Sequence, residues 1–185
     1  NISHIRQIEK WTEMNYNKKI FDSENDNWSK YTSKFDSKIF GKEKLVFVIE
    51  DTENNLFGGF INSTIDSYLS YIKDKNAFIF SLKSNGRLSQ PTKFNIKKEK
   101  RHQTFTLYKN DWSILFSLGN DIIIGKSNYK EQCYCEGNGY EYGEKTDVLV
   151  GKCGRNNLFT VKRIQVWQMY ETDEQKKQRE ERERE

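Results

Sequence analysis

Proline occurs once, histidine twice and cysteine three times in 185 residues. Each scarcity removes a class of protein. An odd number of cysteines does not make the paired framework of a small secreted domain, and points instead to a reducing compartment. The cytoplasm is the expected location, with the nucleus second. His4 and His102 are the only imidazoles. A nucleophilic triad would have to use one of them, and no G-x-S-x-G elbow accompanies either. The longest apolar runs, such as Leu45-Val46-Phe47-Val48-Ile49, fall far short of the roughly 20 residues that span a bilayer. No signal-peptide pattern opens the chain, and no membrane insertion is expected. Because the sequence begins at Asn1 rather than Met, it is read as part of a longer protein.

What remains is aromatic and charged. Apolar residues make up only 35%, yet aromatics reach 14%. A few large side chains must therefore carry much of the core. The length suits one domain able to fold without metals or disulfides. Net charge is +4, and the stretch 171–185 holds seven acids and five bases. The rest of the chain is thus more basic than the whole, which permits an acidic partner without demanding one.

Periodicity predicts a helix over 3–14, capped by Ser3, with Ile5, Ile8, Trp11 and Met14 on one face. Trp28, Tyr31 and Phe35 predict a second over about 27–36. β-Signals then take over. Residues 45–49 read as a strand buried on both faces. The turn Glu53-Asn54-Asn55 leads to a returning strand at 56–61, in which Gly58 and Gly59 mark a bulge or a close backbone approach. Further strands are expected at 77–82, at 104–108 with one wet face, and at 113–118 and 121–124 around the turn Gly119-Asn120. Segments 148–151 and 158–167 close the sheet region, and 125–145 reads as a long surface loop. In the last strand Ile164, Val166 and part of Trp167 are expected to close the core. Strands that do not alternate with helices imply a mainly β protein with flanking helices, a two-sheet antiparallel β-sandwich. The divisions are a helix at 1–16, the domain at 17–171, and a charged tail at 172–185 that is helical or disordered.

Chemistry-bearing clusters are few. Cys133 and Cys135 form a C-x-C pair, with Cys153 distant. Structural zinc usually shows clearly paired cysteine spacing, so no metal and no cofactor is assigned. Thiol redox chemistry would need exposure and a lowered pKa. Gly58 and Gly59 lack the following helix that a phosphate cradle uses. The one concentrated charge is the basic run Lys93, Lys97, Lys98, Lys100, Arg101 and His102. It is read as a hairpin connection projecting outward, able to meet phosphates or an acidic protein surface. Tyr108 and Trp112 are nearby aromatics that suit nucleic acid.

Several features fall in a recognisable order. The strand Leu45–Asp51 is followed by Phe57-Gly58-Gly59-Phe60, then by a strand with Phe78 and Phe80. Gly119 and Asp121 come next, then Gly151, then a final strand from Phe159 through Ile164 and Val166 to Trp167. This order resembles the TLDc domain (TBC/LysM-associated domain, catalytic) of oxidation-resistance proteins. The terminal triplet reads Gln165-Val166-Trp167 where the family pattern has an acid first. The resemblance implies a sandwich of TLDc type, these motif residues in structural roles, and a part in the oxidative-stress response. It also implies contact with subunits of the vacuolar proton pump, at the peripheral stalk and catalytic head. The leading expectation is a non-enzymatic, monomeric interaction module with a protein partner. The second is a nucleic-acid-binding stress regulator using the basic run, and the third an enzyme of unknown chemistry.

Overall fold

A computed structural model describes residues 1–137, 139–141 and 147–185. In chain order the elements are α1 (Ile2–Thr12), β1 (Asn15–Asp22), α2 (Phe35–Ile39), β2 (Leu45–Asp51), β3 (Leu56–Ile61), β4 (Phe78–Lys83), β5 (Thr92–Asn95), β6 (Thr106–Leu107), β7 (Ile114–Leu118), β8 (Ile122–Gly125), β9 (Tyr134–Cys135), β10 (Val161–Tyr170) and α3 (Asp173–Arg184). Two antiparallel sheets form, one of order β1-β10-β2-β3-β4-β5 and one of order β6-β7-β8-β9. The expected mainly β sandwich with flanking helices is the architecture found.

The larger sheet is buried on both faces, and its sequence shows why. Leu45, Phe47 and Ile49 of β2 point into the core between the sheets, against Leu107, Phe116, Leu118 and Ile122. Val46 and Val48 point the other way, into a second core with Phe60, Phe78, Phe80, Trp167 and Met169. That outer core is covered by α1, through buried Ile8 and partly buried Ile5 and Trp11. Each fully buried side chain of this size contributes about 1.5–3 kcal/mol. Helix α1 is capped by Asn1, whose side chain accepts from the Ser3 amide, rather than by Ser3, and it stops at left-handed Glu13.

Four further expectations are corrected, and the open alternative at Gly58-Gly59 is decided. The helix expected over 27–36 is a pinned loop followed by the short α2. Asn110 accepts the Ser33 amide at 2.9 Å through its side chain and the Tyr31 amide at 2.8 Å through its carbonyl. Tyr31 is thereby held at φ 73, which no helix tolerates. Gly58 and Gly59 sit in regular register against Val48 and Phe47. The bulge lies beside them, between Leu56 and Phe57 against β4, so the glycines answer to close approach. The stretch 104–108 is a strand only at Thr106–Leu107, and its threonines do not form the expected wet face, with Tyr108 alone half-exposed. Thr104 and Thr106 are buried, and Thr104 donates its hydroxyl to the Ile72 carbonyl at 2.7 Å.

Residues 148–151 form a turn instead of a strand, buried at Val148, Leu149 and Val150. Arg87 donates to the carbonyls of Val148 and Leu149, at 3.0 and 3.1 Å, occupying acceptors a ladder would need. Gly151 closes that turn at φ 85. Finally, 125–145 is a surface loop only in part: Tyr134–Cys135 form β9 of the smaller sheet and Tyr140 bridges Ile96, while 138 and 142–145 lie outside the described residues. Cys133, Cys135 and Tyr140 are all buried. Buried Asp121 holds the segment by accepting the amides of Gly139 and Tyr140 at 3.0 and 3.2 Å.

The final strand also changes phase. A register shift between Val161 and Arg163 puts Val161 on the same side as Ile164 and Val166, in the core between the sheets. Trp167 and Met169 face the outer core under α1. The tail is helical from Asp173, opened by a capping box in which Thr172 and Gln175 exchange side-chain and backbone bonds. None of its residues is buried.

Candidate functional site

Apart from exposed Gly151, the motif residues named from the sequence are buried in or beside the two cores. Phe57 meets Phe159 edge to face, with ring centroids 5.6 Å apart. Phe78 and Phe80 lie side by side beneath Trp11, at 6.2 and 5.9 Å. A Cβ on Gly58 would stand 1.7 Å from the Phe47 carbonyl oxygen, and one on Gly59 2.8 Å from the Leu118 side chain. Both glycines are buried, so no ligand reaches them. Gly119 takes φ 57 in its turn. Gln165, at the position where the family pattern has an acid, accepts the Trp167 indole N–H at 3.2 Å. The amide thus fixes the rotamer of the tryptophan beside it.

The thiols are built as core atoms. Cys133 and Cys135 are fully buried, and Cys153 is half-buried. Burial pushes the Cys133 thiol up to about 12. Desolvation likewise raises Cys135 well above its ordinary value. Nucleophilic and metal-binding cysteines need the opposite shift. Among the described residues, no group of three or more His, Cys, Asp and Glu is placed to hold a metal ion.

The basic run is not a free hairpin loop. Lys93 belongs to edge strand β5, because Phe94 and its neighbours extend the β4 ladder. Lys98 and Lys100 form a 3-10 turn flanked by Lys97 and Arg101. The Lys93 ammonium lies 5.1 Å from the centre of the Phe78 ring. Burial lowers its pKa.

Lys93, Lys98 and Arg101 line a groove of about 710 Å³ between the end of α1, the β4–β5 edge and α3. Lys10 and Lys75 join them from two other segments, and Trp11 and Phe78 supply an apolar floor. Lys97, Lys100 and His102 stand outside it, as do Tyr108 and Trp112, whose rings pack on each other at 5.6 Å. Among the described residues, no carboxylate lies within ion-pairing distance of Lys10, Lys93, Lys98 or Arg101. Glu13, Glu141 and Glu183 are the acids of the lining, so cations outnumber them. Buried Asn62 Oδ1, on the same wall, is without a hydrogen-bond partner among the described residues. Lys10, Lys75 and the α3 side of the groove escaped the sequence reading. They come from segments far apart along the chain, and no local pattern joins them.

The groove is thus a cationic surface beside an apolar floor, carried on a two-sheet scaffold. The family model for the TLDc domain matches residues 1–170, and the chain belongs to that family. Its domain is of an oxidative-stress-related type. A search of curated proteins finds no match.

Proposed function

We propose that this TLDc domain is a non-enzymatic interaction module of an oxidative-stress response, and that its groove docks an acidic surface of a protein partner. The observation that carries this reading is the convergence of Lys10, Lys75, Lys93, Lys98 and Arg101 around Trp11 and Phe78. Cations at the rim of an apolar floor give both steering and contact area. Subunits of the vacuolar proton pump, at its peripheral stalk and catalytic head, are the specific partner, met in the cytoplasm. The buried, proton-retaining state of Cys133 and Cys135 favours a binding role over thiol chemistry. Glu13, Glu141 and Glu183 in the same lining favour a protein over a phosphate backbone, which repels carboxylates.

The test compares the wild-type chain with a Lys75→Glu, Lys93→Glu, Lys98→Glu, Arg101→Glu variant. Each is immobilised and offered purified pump subunits and duplex DNA. The wild type is expected to retain the subunits at low salt and release them as salt rises, and the variant to retain neither. Retention of DNA alone would replace this reading with the nucleic-acid one. Equal retention of subunits by both chains would remove the groove from the interaction.

A further inference from the structure

Helix α3 contains no apolar residue and buries none. An amphipathic helix is held by the face it buries, so something else holds this one. Its contacts are polar and go mainly to the walls of the groove. The Glu183 carboxylate takes the Lys75 ammonium at 3.2 Å and the Asn76 side-chain amide at 3.1 Å. Arg182 pairs with Glu13 at the end of α1. Gln175 reaches Asn15 at 3.5 Å. Arg179 clamps Glu171, where β10 ends, through two bonds of 2.7 and 3.1 Å. The pairs of Glu183 with Lys75 and of Arg182 with Glu13 are partly exposed, individually weak and screened by salt, whereas the Arg179–Glu171 clamp is bidentate and more buried.

Helix α1 on the opposite wall is the contrast. It drives Ile8 into the outer core and lays Trp11 over Phe78 and Phe80. Trp11 is only partly covered, and α3 has no side chain suited to finish covering it. Lys93, Lys98 and Arg101 likewise gain no carboxylate from α3 within ion-pairing distance. Of the five cations that α1 and the sheet side bring to the groove, α3 therefore pairs with Lys75 alone and leaves the apolar floor and the other four without a complement.

We infer that α3 is a displaceable wall of the groove, and that the partner segment which replaces it is an acidic amphipathic helix. Such a helix repeats the contact of Glu183 with Lys75 and Asn76. It adds further carboxylates for Lys93, Lys98 and Arg101 and an apolar stripe for Trp11. Tethering gives α3 a high effective concentration that a separate partner must overcome. The extra contacts are what allow it to do so. This inference rests on the groove being the partner site.

The test uses the full chain and an Arg179→Glu, Arg182→Glu, Glu183→Lys variant, in which the ion pairs of α3 with Glu171, Glu13 and Lys75 all become repulsive. The probe is a lactam-bridged 14-residue helix with a Glu stripe beside a Leu stripe, fluorescently labelled. Affinity is read by anisotropy, and release of α3 by hydrogen exchange of its amides. The variant is expected to exchange α3 amides faster and to bind the probe at least tenfold more tightly than the wild type. Adding Lys93→Glu and Arg101→Glu is expected to abolish binding in both backgrounds. If α3 is released but affinity is unchanged, while Lys93→Glu and Arg101→Glu still abolish it, α3 does not compete with the partner, the inference fails, and the groove remains the partner site. If α3 stays protected in the variant, the polar contacts are not what holds it, and the inference fails. If Lys93→Glu and Arg101→Glu leave binding intact, the groove itself is wrong.

Discussion

At the scale of single residues, the clearest electrostatic device is Asp22. Its carboxylate is almost wholly buried and takes Arg163 through two bonds, at 3.1 and 2.7 Å, with Lys19 at 2.6 Å. The Arg163 guanidinium holds this carboxyl well below the usual carboxylate range, with Lys19 assisting against the cost of burial. A depressed folded-state pKa gives stability that is complete above the unfolded value near 3.8 and lost as pH falls through the folded value. Arg163→Ala is expected to cost about 1.5–3 kcal/mol at neutral pH, the range for bonds to charged groups. The difference from wild type should shrink as pH falls below the unfolded value, because the unfolded chain then gains the proton and the wild type has the more linked stability to lose. Denaturant melts at pH 7 and pH 2 check this, and a pH-independent difference would assign the loss to packing. The thiols give a second expectation at this scale. In the native chain at pH 8 an aromatic disulfide reagent should modify Cys153, while Cys133 and Cys135 react only after unfolding. Rapid reaction of all three would contradict their burial.

At the scale of elements, β3 shows how a strand can depend on having no side chain. Gly58→Ala places a Cβ against the Phe47 carbonyl, and backbone cannot swing aside as a long side chain can. The expected loss is upwards of about 3 kcal/mol, read as a fall in thermal midpoint or as insoluble protein. A midpoint near wild type would show that β2 and β3 can part without loss. The Gly-Gly pair was visible in the sequence, but its meaning was not. A bulge and a close approach leave the same letters, and only the Phe47 and Leu118 neighbours decide. Strands β2 and β4 were legible because Leu45–Ile49 and Phe78–Leu82 are unbroken β-prone runs. Strand β5 was not, because Thr-Lys-Phe-Asn reads as loop until the β4 edge is there to pair with it. The expected helix at 27–36 had the right spacing, but the distant Asn110 overrode it. For the candidate site, three of the six basic residues named from sequence reach the groove. The other walls come from α1, the segment around Lys75, and α3, which meet only in three dimensions.

At the scale of the whole molecule, the six-stranded sheet is shared by both cores, so neither can be lost alone. Trp167 and Trp11 report on the outer core and Trp28 on the inner one. Tryptophan emission and far-ultraviolet dichroism are therefore expected to trace one coincident denaturant transition. Separate midpoints would mean that α1 and its face melt as a unit of their own. The order of the larger sheet has one more consequence. It leaves β1 and β5 as its two outer strands. Unpaired outer strands invite another chain to add on and seed fibres. Here β1 is interrupted by two register shifts and carries Lys18 and Lys19. Strand β5 has only four residues, with Pro91 just before it and Lys93 within it. A chain rich in aromatic β-strands can in this way stay apart from its own copies when crowded, because neither rim offers a long, flat, uncharged template for growth.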